Sequence, residues 1–301
     1  MDGLLIIDKP AGMTSHDVVS RVRRVLKTKS VGHTGTLDPF ATGVLVLLIG
    51  KATRLARFVD KDVKQYEALV QFGSETDTGD NTGTGIAECG LPKQEISKRL
   101  RSVDWEGVLA KFRGRIMQTP PMYSAKKVEG KKLYELARKG VKVVREPVAV
   151  RVHNLELLEQ DIRSPETALR IRVACSAGTY IRTLAEDIGR EVGTGAHLLE
   201  LRRTAAGRFD LNDAIALENL ENHETPASVL RPITDIVDGL PAITLAPDRV
   251  DKTMNGLPTR VSLNGLPEGA FVQMLDGDKV LIAIGAYDEA EKTVKPKIVL
   301  G

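Results

Sequence analysis

The sequence of 301 residues predicts an α+β fold, with a large mixed domain followed by a small β-rich one. Strand-like and helix-like segments intermix through the large part without the regular β-α-β order of a doubly wound parallel sheet. After Pro241, short apolar segments are separated by tight-turn dipeptides, namely Asn255-Gly256, Asn264-Gly265 and Asp276-Gly277. The chain is also long for one compact core. We therefore expect domains at 1–236 and 237–301.

The N-terminal part predicts a buried strand, a helix, a loop and a second buried strand. Residues 4–7 are an apolar run, and the Pro and Gly that follow favour a turn. Thr14 or Ser15 can then cap a helix. Its apolar side chains recur at helical spacing: Val18, Val19, Val22, Val25 and Leu26. Residues 32–39, rich in Gly and Thr, predict a loop, and 44–49 predict an interior strand.

The middle of the chain predicts strands around a polar loop. Residues 64–72 alternate between apolar and polar side chains, which is typical of a strand. Residues 73–85 predict a solvated polar loop, whose acidic side chains do not have the spacing of an EF-hand. A capped helix is expected from Ser97 onward. Two more strands and a helix are predicted at 148–158, 168–176 and from 181.

Charge is distributed unevenly along the sequence. The last 91 residues carry 8 Lys and Arg against 14 Asp and Glu, a net charge of −6, whereas the first 210 carry +9. Residues 126–145 alone hold eight basic side chains and two acidic ones. Such a cluster attracts phosphate backbones, although a solvated helix face has the same composition. Charge therefore leaves nucleic-acid binding and a plain solvated surface as alternatives.

Composition and motifs exclude several classes of protein. Two cysteines, Cys89 and Cys175, cannot form a disulfide framework or supply four zinc ligands. The longest apolar run is too short for a membrane span, and the N-terminus lacks the basic region of a signal peptide. A phosphate-binding loop, a zinc-protease helix and a Gly-x-Ser-x-Gly elbow are absent, and the five histidines lack metal-ligand spacing. We expect a cytoplasmic protein without a bound metal.

Asp38 is the candidate for catalytic chemistry that the residues themselves offer. It follows a loop rich in Gly and Thr and precedes Pro39, which disfavours a helical conformation at Asp38 and holds its backbone extended. A carboxylate held in this way can be presented from a rigid scaffold. The alternative is an ordinary turn residue, because Asp-Pro is a common turn dipeptide.

Six segments spread over about 200 residues are specific enough to compare with a known family. In chain order they are 9–15 (KPAGMTS), 32–45 (GHTGTLDPFATGVL), 119–127 (TPPMYSAKK), 131–134 (KKLY), 178–184 (GTYIRTL) and 201–204 (LRRT). Together they resemble motifs of the TruB family of tRNA pseudouridine synthases. One such string could occur by chance, but six in order are highly specific.

The resemblance implies isomerisation of uridine 55 in the T loop of tRNA to pseudouridine, without a cofactor. It implies that Asp38 is the catalytic carboxylate, that Arg182 pairs with it and lowers its pKa, and that Tyr180 takes the proton from C5. Attack at ribose C1′, addition to the base and removal of the 2′ proton all remain open for Asp38, because each role needs an ionised carboxylate beside the sugar. The implied fold is a mixed, mainly antiparallel sheet with a PUA-like C-terminal domain.

The resemblance also implies a set of substrate contacts. Tyr66 would stack on the flipped base, although its alternating pattern also fits core packing. His33 would hold a flipped or displaced nucleotide or bond within its own loop, and Leu201 would contact the uracil edge or belong to the core. A basic insertion at 118–146 would close over the RNA. The other expected contacts are Lys9, Tyr123, Lys126, Lys127, Lys131 and Lys132.

Two other functions remain open from the sequence. One is an RNA-binding protein that helps tRNA fold and whose catalysis is dispensable. The other is a guide-dependent relative that modifies ribosomal RNA, against which the basic insertion argues. We expect tRNA as partner, no membrane or protein partner and a monomer. The acidic C-terminal domain is not expected to contribute strongly to RNA affinity.

Overall fold

The computed structural model describes residues 1–59, 63–124, 126–128, 130–137, 139–141, 143–161, 167–263 and 265–301. Its strands are β1 (Gly3–Lys9), β2 (Val31–Thr34), β3 (Thr42–Ile49), β4 (Lys64–Phe72), β5 (Ser74–Thr76), β6 (Gly85–Glu88), β7 (Gly114–Gln118), β8 (Lys127–Val128), β9 (Lys131–Lys132), β10 (Val148–Asp161), β11 (Ala168–Cys175), β12 (Ala196–Ala206), β13 (Phe209–Asp210), β14 (Ile215–Ala216), β15 (Ala242–Thr244), β16 (Thr259–Arg260), β17 (Phe271–Leu275), β18 (Leu281–Asp288) and β19 (Thr293–Val299). Its α-helices are α1 (Ser15–Val25), α2 (Lys93–Ser102), α3 (Trp105–Ala110), α4 (Leu133–Ala137), α5 (Ile181–Val192), α6 (Leu217–Glu221), α7 (Thr234–Val237) and α8 (Pro247–Met254). Short 3₁₀ helices occupy Gly50–Phe58, Leu211–Asp213 and Pro226–Val229.

Ten strands form the main sheet. Eight of them run in the order β14-β1-β3-β12-β4-β11-β10-β7, while β2 pairs with β3 and β13 pairs with β12. Among the described residues, β1 with β14 and β3 with β12 are the parallel pairs of this sheet, and its other pairs are antiparallel. The expected α+β class with a mixed, mainly antiparallel sheet is therefore confirmed.

Strands β1 and β3 are apolar on both faces because both faces of the sheet are covered. Leu5 and Leu47 point into the larger core cluster, where they pack with residues of α1 and α5. Leu4 and Val46 point to the other side and pack with Ile284 and other residues of the C-terminal sheet. An uninterrupted apolar run is typical of a strand that is buried on both sides. The runs at 4–7 and 44–49 are the predicted interior strands.

Helix α1 begins with a capping box. The Thr14 hydroxyl accepts a hydrogen bond from the Asp17 amide at 3.1 Å, and the Asp17 carboxylate accepts one from the Thr14 amide at 2.9 Å. The next residue, Ser15, reaches across to the loop before β3: its hydroxyl accepts from the Leu37 amide at 2.9 Å and donates to the Leu37 carbonyl at 3.1 Å. The start of the predicted helix therefore also positions residue 37.

Two sequence predictions in the first domain are wrong in detail. The segment at 32–39 was expected to be a loop, but Val31–Thr34 forms β2, since it pairs with the buried strand β3 along its whole length. Helix α2 begins at Lys93, after Pro92, and not near Ser97. The earlier start is explained by tertiary packing, because Ile96 lies on the buried face of α2.

The C-terminal segment forms a separate five-stranded sheet in the order β15-β17-β18-β19-β16. The predicted turn at Asp276-Gly277 joins β17 to β18, and the Asp276 carboxylate accepts bonds from the amides of Asp278 and Val280. Helix α8 was not expected in this β-rich segment, and Asn264 lies outside the described residues. The boundary near residue 236 stays a prediction. Within the described ranges, no helix has the length and apolar character that a membrane crossing requires.

Candidate active site

Asp38 lies in the loop between β2 and β3, and this loop is held from several sides. Ser15 fixes the backbone of Leu37 on one side of Asp38. On the other side, the Pro39 carbonyl accepts from the Gly12 amide at 2.8 Å and from Lys9 Nζ at 3.3 Å. The loop therefore presents the Asp38 carboxylate from a backbone anchored to β1 and α1.

Arg182, in the first turn of α5, connects the carboxylate to two other segments. Its Nε lies 2.9 Å from Asp38 Oδ2, and Arg182 is only 4% exposed. Its Nη1 donates to the Thr78 carbonyl at 2.6 Å and lies 3.6 Å from Asp80 Oδ2, while its Nη2 donates to the Tyr123 carbonyl at 2.8 Å. The expected pair of Arg182 with Asp38 is present, and the guanidinium donates to three acceptors and forms a longer ion pair with Asp80.

The pKa of Asp38 is shifted in the direction opposite to the expected one. Its side chain is 33% exposed but is surrounded by protein, and burial raises the pKa of Asp38 above its usual value. Arg182 pulls that pKa down and the nearby Asp80 carboxylate pushes it up. We expected the guanidinium to dominate and lower the pKa. Burial outweighs it, because the charged carboxylate loses water on entering the site.

Asp80 is a site residue that the sequence analysis missed. Its side chain is 5% exposed, although the loop at 73–85 was predicted to be solvated. Asp80 Oδ1 accepts bonds from the Thr78 hydroxyl at 2.8 Å, the Thr82 amide at 3.0 Å and the Thr82 hydroxyl at 2.5 Å. The threonines on either side of Asp80 were the available signal, but only the long-range contact with Arg182 shows that this carboxylate faces inward.

A cavity of about 270 Å³ opens beside the Asp38–Arg182 pair. It brings together five of the residues predicted for the site, which are Asp38, Tyr66, Tyr180, Arg182 and Leu201. Ionic, phenolic and apolar side chains thus surround one small space. In the part of the chain that the structure describes, no group of three or more His, Cys, Asp or Glu side chains is arranged to hold a metal ion.

Tyr66 and Arg203 form the floor of this cavity from neighbouring strands. Tyr66 of β4 is buried, and burial raises the pKa of its phenol while the adjacent Arg203 guanidinium opposes the shift. Arg203 is itself buried; its Nε donates to the Val44 carbonyl at 2.7 Å and its Nη2 to the Gly35 carbonyl at 3.0 Å. The LRRT motif contains Arg203, but only Leu201 was singled out there. Arg203 ties the loop before Asp38 to the sheet.

Tyr180 is held by a buried glutamine that the sequence did not indicate. The amide of Tyr180 donates to Gln118 Oε1 at 3.0 Å, and Gln118 Nε2 donates back to the Tyr180 carbonyl at 3.2 Å. Gln118 ends β7 and is fully buried. These two bonds fix the backbone from which the Tyr180 phenol projects, immediately before α5.

A second, larger cavity of about 680 Å³ also borders this ion pair. His33, Tyr123, Tyr134 and Phe40 line it together with Asp38 and Arg182. The structure therefore places His33 and Tyr123 near Asp38 but not in the smaller cavity with Tyr66. Ring-bearing side chains are well suited to contact an unstacked base.

The remaining predicted contacts lie elsewhere. Lys126 and Lys131 belong to the basic insertion and line neither cavity, and Lys131 is exposed. The side chains of Lys127 and Lys132 lie outside the described residues. Lys9 lies beneath the Asp38 loop, where it is fully buried and donates to the Pro10 carbonyl at 2.8 Å as well as to Pro39. Its position suits support of the loop better than direct contact with a substrate.

Burial lowers the pKa of Lys9 from 10.5 to about 8, and Asp38 partly opposes the shift. The folded state therefore disfavours the charged ammonium, so that stability is lost as the pH falls from 10.5 toward 8. Relative to Lys9→Met, the wild type should gain up to roughly 3 kcal/mol of unfolding free energy between pH 8 and 10.5. Urea unfolding of both proteins at several pH values measures this. An unchanged difference over that range would show that Lys9 titrates normally.

Two family models match adjacent parts of the chain. One, for the TruB family pseudouridylate synthase (N terminal domain), matches residues 23–181, and the tRNA pseudouridylate synthase B C-terminal domain matches 182–238. A protein of Solibacter usitatus named tRNA pseudouridine synthase B is 43% identical over 289 residues, covering 95% of both chains. Its namesake from Aromatoleum aromaticum is 46% identical over 300 residues, covering 99% of this chain and 92% of the relative.

Solved structures with the same fold are known. A chain in an H/ACA ribonucleoprotein bound to a substrate RNA containing 2′-deoxyuridine is 25% identical, with a TM-score of 0.70 over 99% of this chain and 85% of the other. A chain of a Cbf5-Nop10-Gar1 complex is 26% identical, with the same TM-score and coverage. Since the N-terminal family model spans more than half of the sequence and the curated relatives align over nearly all of it, the chain belongs to the TruB family of pseudouridylate synthases.

Proposed function

We propose that this chain isomerises uridine 55 in the T loop of tRNA to pseudouridine, with Asp38 as the catalytic carboxylate. The observation that carries the proposal is the Asp38–Arg182 pair at 2.9 Å on the wall of a small cavity that also contains Tyr66, Tyr180 and Leu201. The names of the curated relatives support tRNA as the substrate. These relatives are 43% and 46% identical to this chain, whereas the chains of the H/ACA and Cbf5 structures are 25% and 26% identical. The difference favours tRNA over a guide-bound ribosomal RNA as the substrate.

The reaction balances within the nucleotide itself. The bond from ribose C1′ to N1 breaks, a bond from C1′ to C5 forms, and the hydrogen on C5 is replaced by one on N1. Product and substrate are isomers, so the balance requires no oxidant, reductant or donated group. Asp38 acts in its ionised form beside the sugar, and attack at C1′, addition to the base and removal of the 2′ proton all start from that state.

The cavity accounts for the other steps. The target base has to leave its stack to reach Asp38, which costs a few kcal/mol, and stacking on Tyr66 returns roughly 1–3 kcal/mol. Leu201 contacts the edge of the flipped uracil. Tyr180 accepts the C5 proton after the new bond has formed, from a backbone held by Gln118. Arg182 holds Asp38 in place and stabilises its charge against the cost of burial.

The basic part of the chain binds the RNA. The first 210 residues carry +9, and the insertion at 118–146 holds exposed lysines that contact phosphates without reading sequence. The enzyme acts on tRNA in the cytoplasm as a monomer, without a cofactor, a guide RNA or a protein partner. The acidic C-terminal segment contributes little to the affinity.

The decisive assay mixes the purified chain with an unmodified T stem-loop transcript and no other component. Pseudouridine should form at position 55 and reach one equivalent per RNA, and a transcript with cytidine at that position should give none. Tight RNA binding without product would favour the folding protein. Product that depends on an added guide RNA would favour the guide-dependent relative. Either result overturns the proposed function.

A further inference from the structure

The two cavities beside Asp38 share part of their wall. The residues common to both linings are Thr36, Leu37, Asp38, Ser124 and Arg182. The smaller cavity contains Tyr66 and Leu201, and the larger contains His33 and Tyr134. A strand of RNA with a base in the smaller cavity and its neighbour in the larger one has to carry its sugar and phosphate across this shared wall.

Ser124 brings a buried hydroxyl to the shared wall. The residue is 5% exposed, and its Oγ is out of contact with solvent and has no hydrogen-bond partner among the residues that the structure describes. Nearly all buried polar groups in folded proteins are hydrogen-bonded, and leaving one without a partner is unfavourable. A hydroxyl in this condition at the edge of a binding cavity indicates a ligand group as its partner.

The position of Ser124 is fixed by the site and not by chance packing. The carbonyl of Tyr123 accepts from Arg182 Nη2 at 2.8 Å, and the carbonyl of Ser124 accepts from the Tyr134 amide at 3.1 Å. The backbone on each side of the hydroxyl is therefore tied to the ion pair that holds Asp38 and to a residue of the larger cavity.

The other polar side chains of the shared wall are already engaged or exposed. Arg182 donates to three acceptors and forms an ion pair with Asp80, Asp38 pairs with Arg182, and Thr36 is open to solvent. Ser124 thus supplies a buried hydroxyl that is available where the RNA backbone must cross.

We propose that Ser124 Oγ hydrogen-bonds the ribose-phosphate of the nucleotide whose base enters the smaller cavity, and so helps to position C1′ beside Asp38. This inference rests on the proposed function, since it takes that nucleotide to be the reacting uridine. A hydroxyl can donate to a phosphate oxygen and can exchange hydrogen bonds with a ribose hydroxyl. Ser124 is then a binding residue that does not itself move a proton of the reaction.

The first test compares Ser124→Ala with the wild type in two measurements. The affinity for the T stem-loop should fall at least about fivefold, which corresponds to one lost hydrogen bond to a ribose hydroxyl, and should fall further where the acceptor is a charged phosphate oxygen. The thermal midpoint of the free protein should stay equal or rise, because the substitution removes a buried polar group that has no partner. Ser102→Ala is the matched control: its hydroxyl is exposed and bonds only the Arg99 carbonyl, so neither quantity should change.

The second test identifies the partner group on the RNA. Stem-loops carry a 2′-deoxyribose at position 55 or a single phosphorothioate on either side of it. One of these modifications should remove the RNA group that Ser124 binds, and the wild type and Ser124→Ala should bind that stem-loop equally. With the other modified stem-loops, Ser124→Ala should still bind more weakly than the wild type. A penalty that persists with every modified RNA would overturn the assignment to the ribose-phosphate.

The outcomes separate this inference from the proposed function. If the wild type forms pseudouridine at position 55 and Ser124→Ala binds the stem-loop equally well, the inference fails and the function stands. If Ser124→Ala lowers the thermal midpoint without changing RNA affinity, Ser124 has a structural role only. If the wild type forms no product, the function fails, and equal RNA binding by the two proteins would still refute the contact.

Discussion

Asp38→Asn should lower the rate of pseudouridine formation by at least about 10³-fold and leave the affinity for tRNA within a few-fold of the wild type. Asparagine keeps the shape of the side chain but carries no charge and cannot act as base or nucleophile. The rate is measured as tritium release from 5-tritiated uridine under single-turnover conditions, and the affinity by filter binding. Asp248→Asn, an exposed carboxylate of α8, is the control and should react at the wild-type rate.

The same variant should be more stable than the wild type at neutral pH. Burial raises the pKa of Asp38, so the folded state favours the uncharged group, which asparagine imitates. The gain in unfolding free energy should be present above the usual pKa and vanish as the pH falls toward 3.8. Substantial residual turnover would contradict the catalytic assignment, and a loss of stability at neutral pH would contradict the direction of the pKa shift.

Arg182→Met should abolish turnover and lower the free energy of unfolding at pH 7 by roughly 3–5 kcal/mol. The reason is that Asp38 and Asp80 remain in the protein without the cation between them, and two backbone carbonyls lose a donor. Urea unfolding measures the loss. It should shrink as the pH is lowered, because protonation removes the uncompensated charges.

An arginine on the exposed sheet face provides the matched control. Arg172 also lies between two carboxylates, at 3.0 Å from both Glu67 and Glu156, but its side chain is 43% exposed, against 5% for Arg182. Arg172→Met should therefore cost no more than about 1 kcal/mol. Similar losses for the two arginine variants would mean that the environment of Arg182 is not special.

A double variant tests whether the stability loss comes from the carboxylates. Asp38→Asn should stabilise the Arg182→Met protein by more than it stabilises the wild type, since in Arg182→Met it removes one of the two uncompensated charges. Strictly additive effects of the two substitutions would indicate that Arg182 stabilises the protein mainly through packing or through the two carbonyls.

The local elements of this fold were predictable because their causes lie close together in the sequence. Continuous apolar runs predicted β1 and β3, strict alternation predicted β4, and a cap at Thr14 or Ser15 predicted the start of α1, where the structure has Thr14. The start of α2 was missed, since a buried face formed against distant segments extends that helix toward Pro92. The start of the Gly- and Thr-rich segment, predicted as a loop, likewise forms β2 because it pairs with β3.

Residues of the site could be predicted where the resemblance to the family assigns them a role. Residues whose role depends on a contact with a distant segment could not. The family resemblance identified Asp38, Tyr66, Tyr180, Arg182 and Leu201, and these residues line one cavity. Their supports were not identified: Asp80, Arg203, Gln118 and Ser124 act through partners that are about 60 or more residues away or through burial. Asp80 and Gln118 lie outside the motifs, whereas Arg203 and Ser124 lie inside them but were not singled out.

The sequence by itself determined the α+β class, the main-sheet strands β1, β3, β4, β10 and β11, the helices α1 and α5, the uneven charge and the family resemblance. Only the tertiary structure decided the surroundings of each polar group. It brings Asp80 to Arg182, covers both faces of β1 and β3, and leaves burial stronger than the guanidinium in setting the pKa of Asp38. The physical reason is that desolvation and ion pairing depend on which distant segments meet, and this is specified only when the chain is folded.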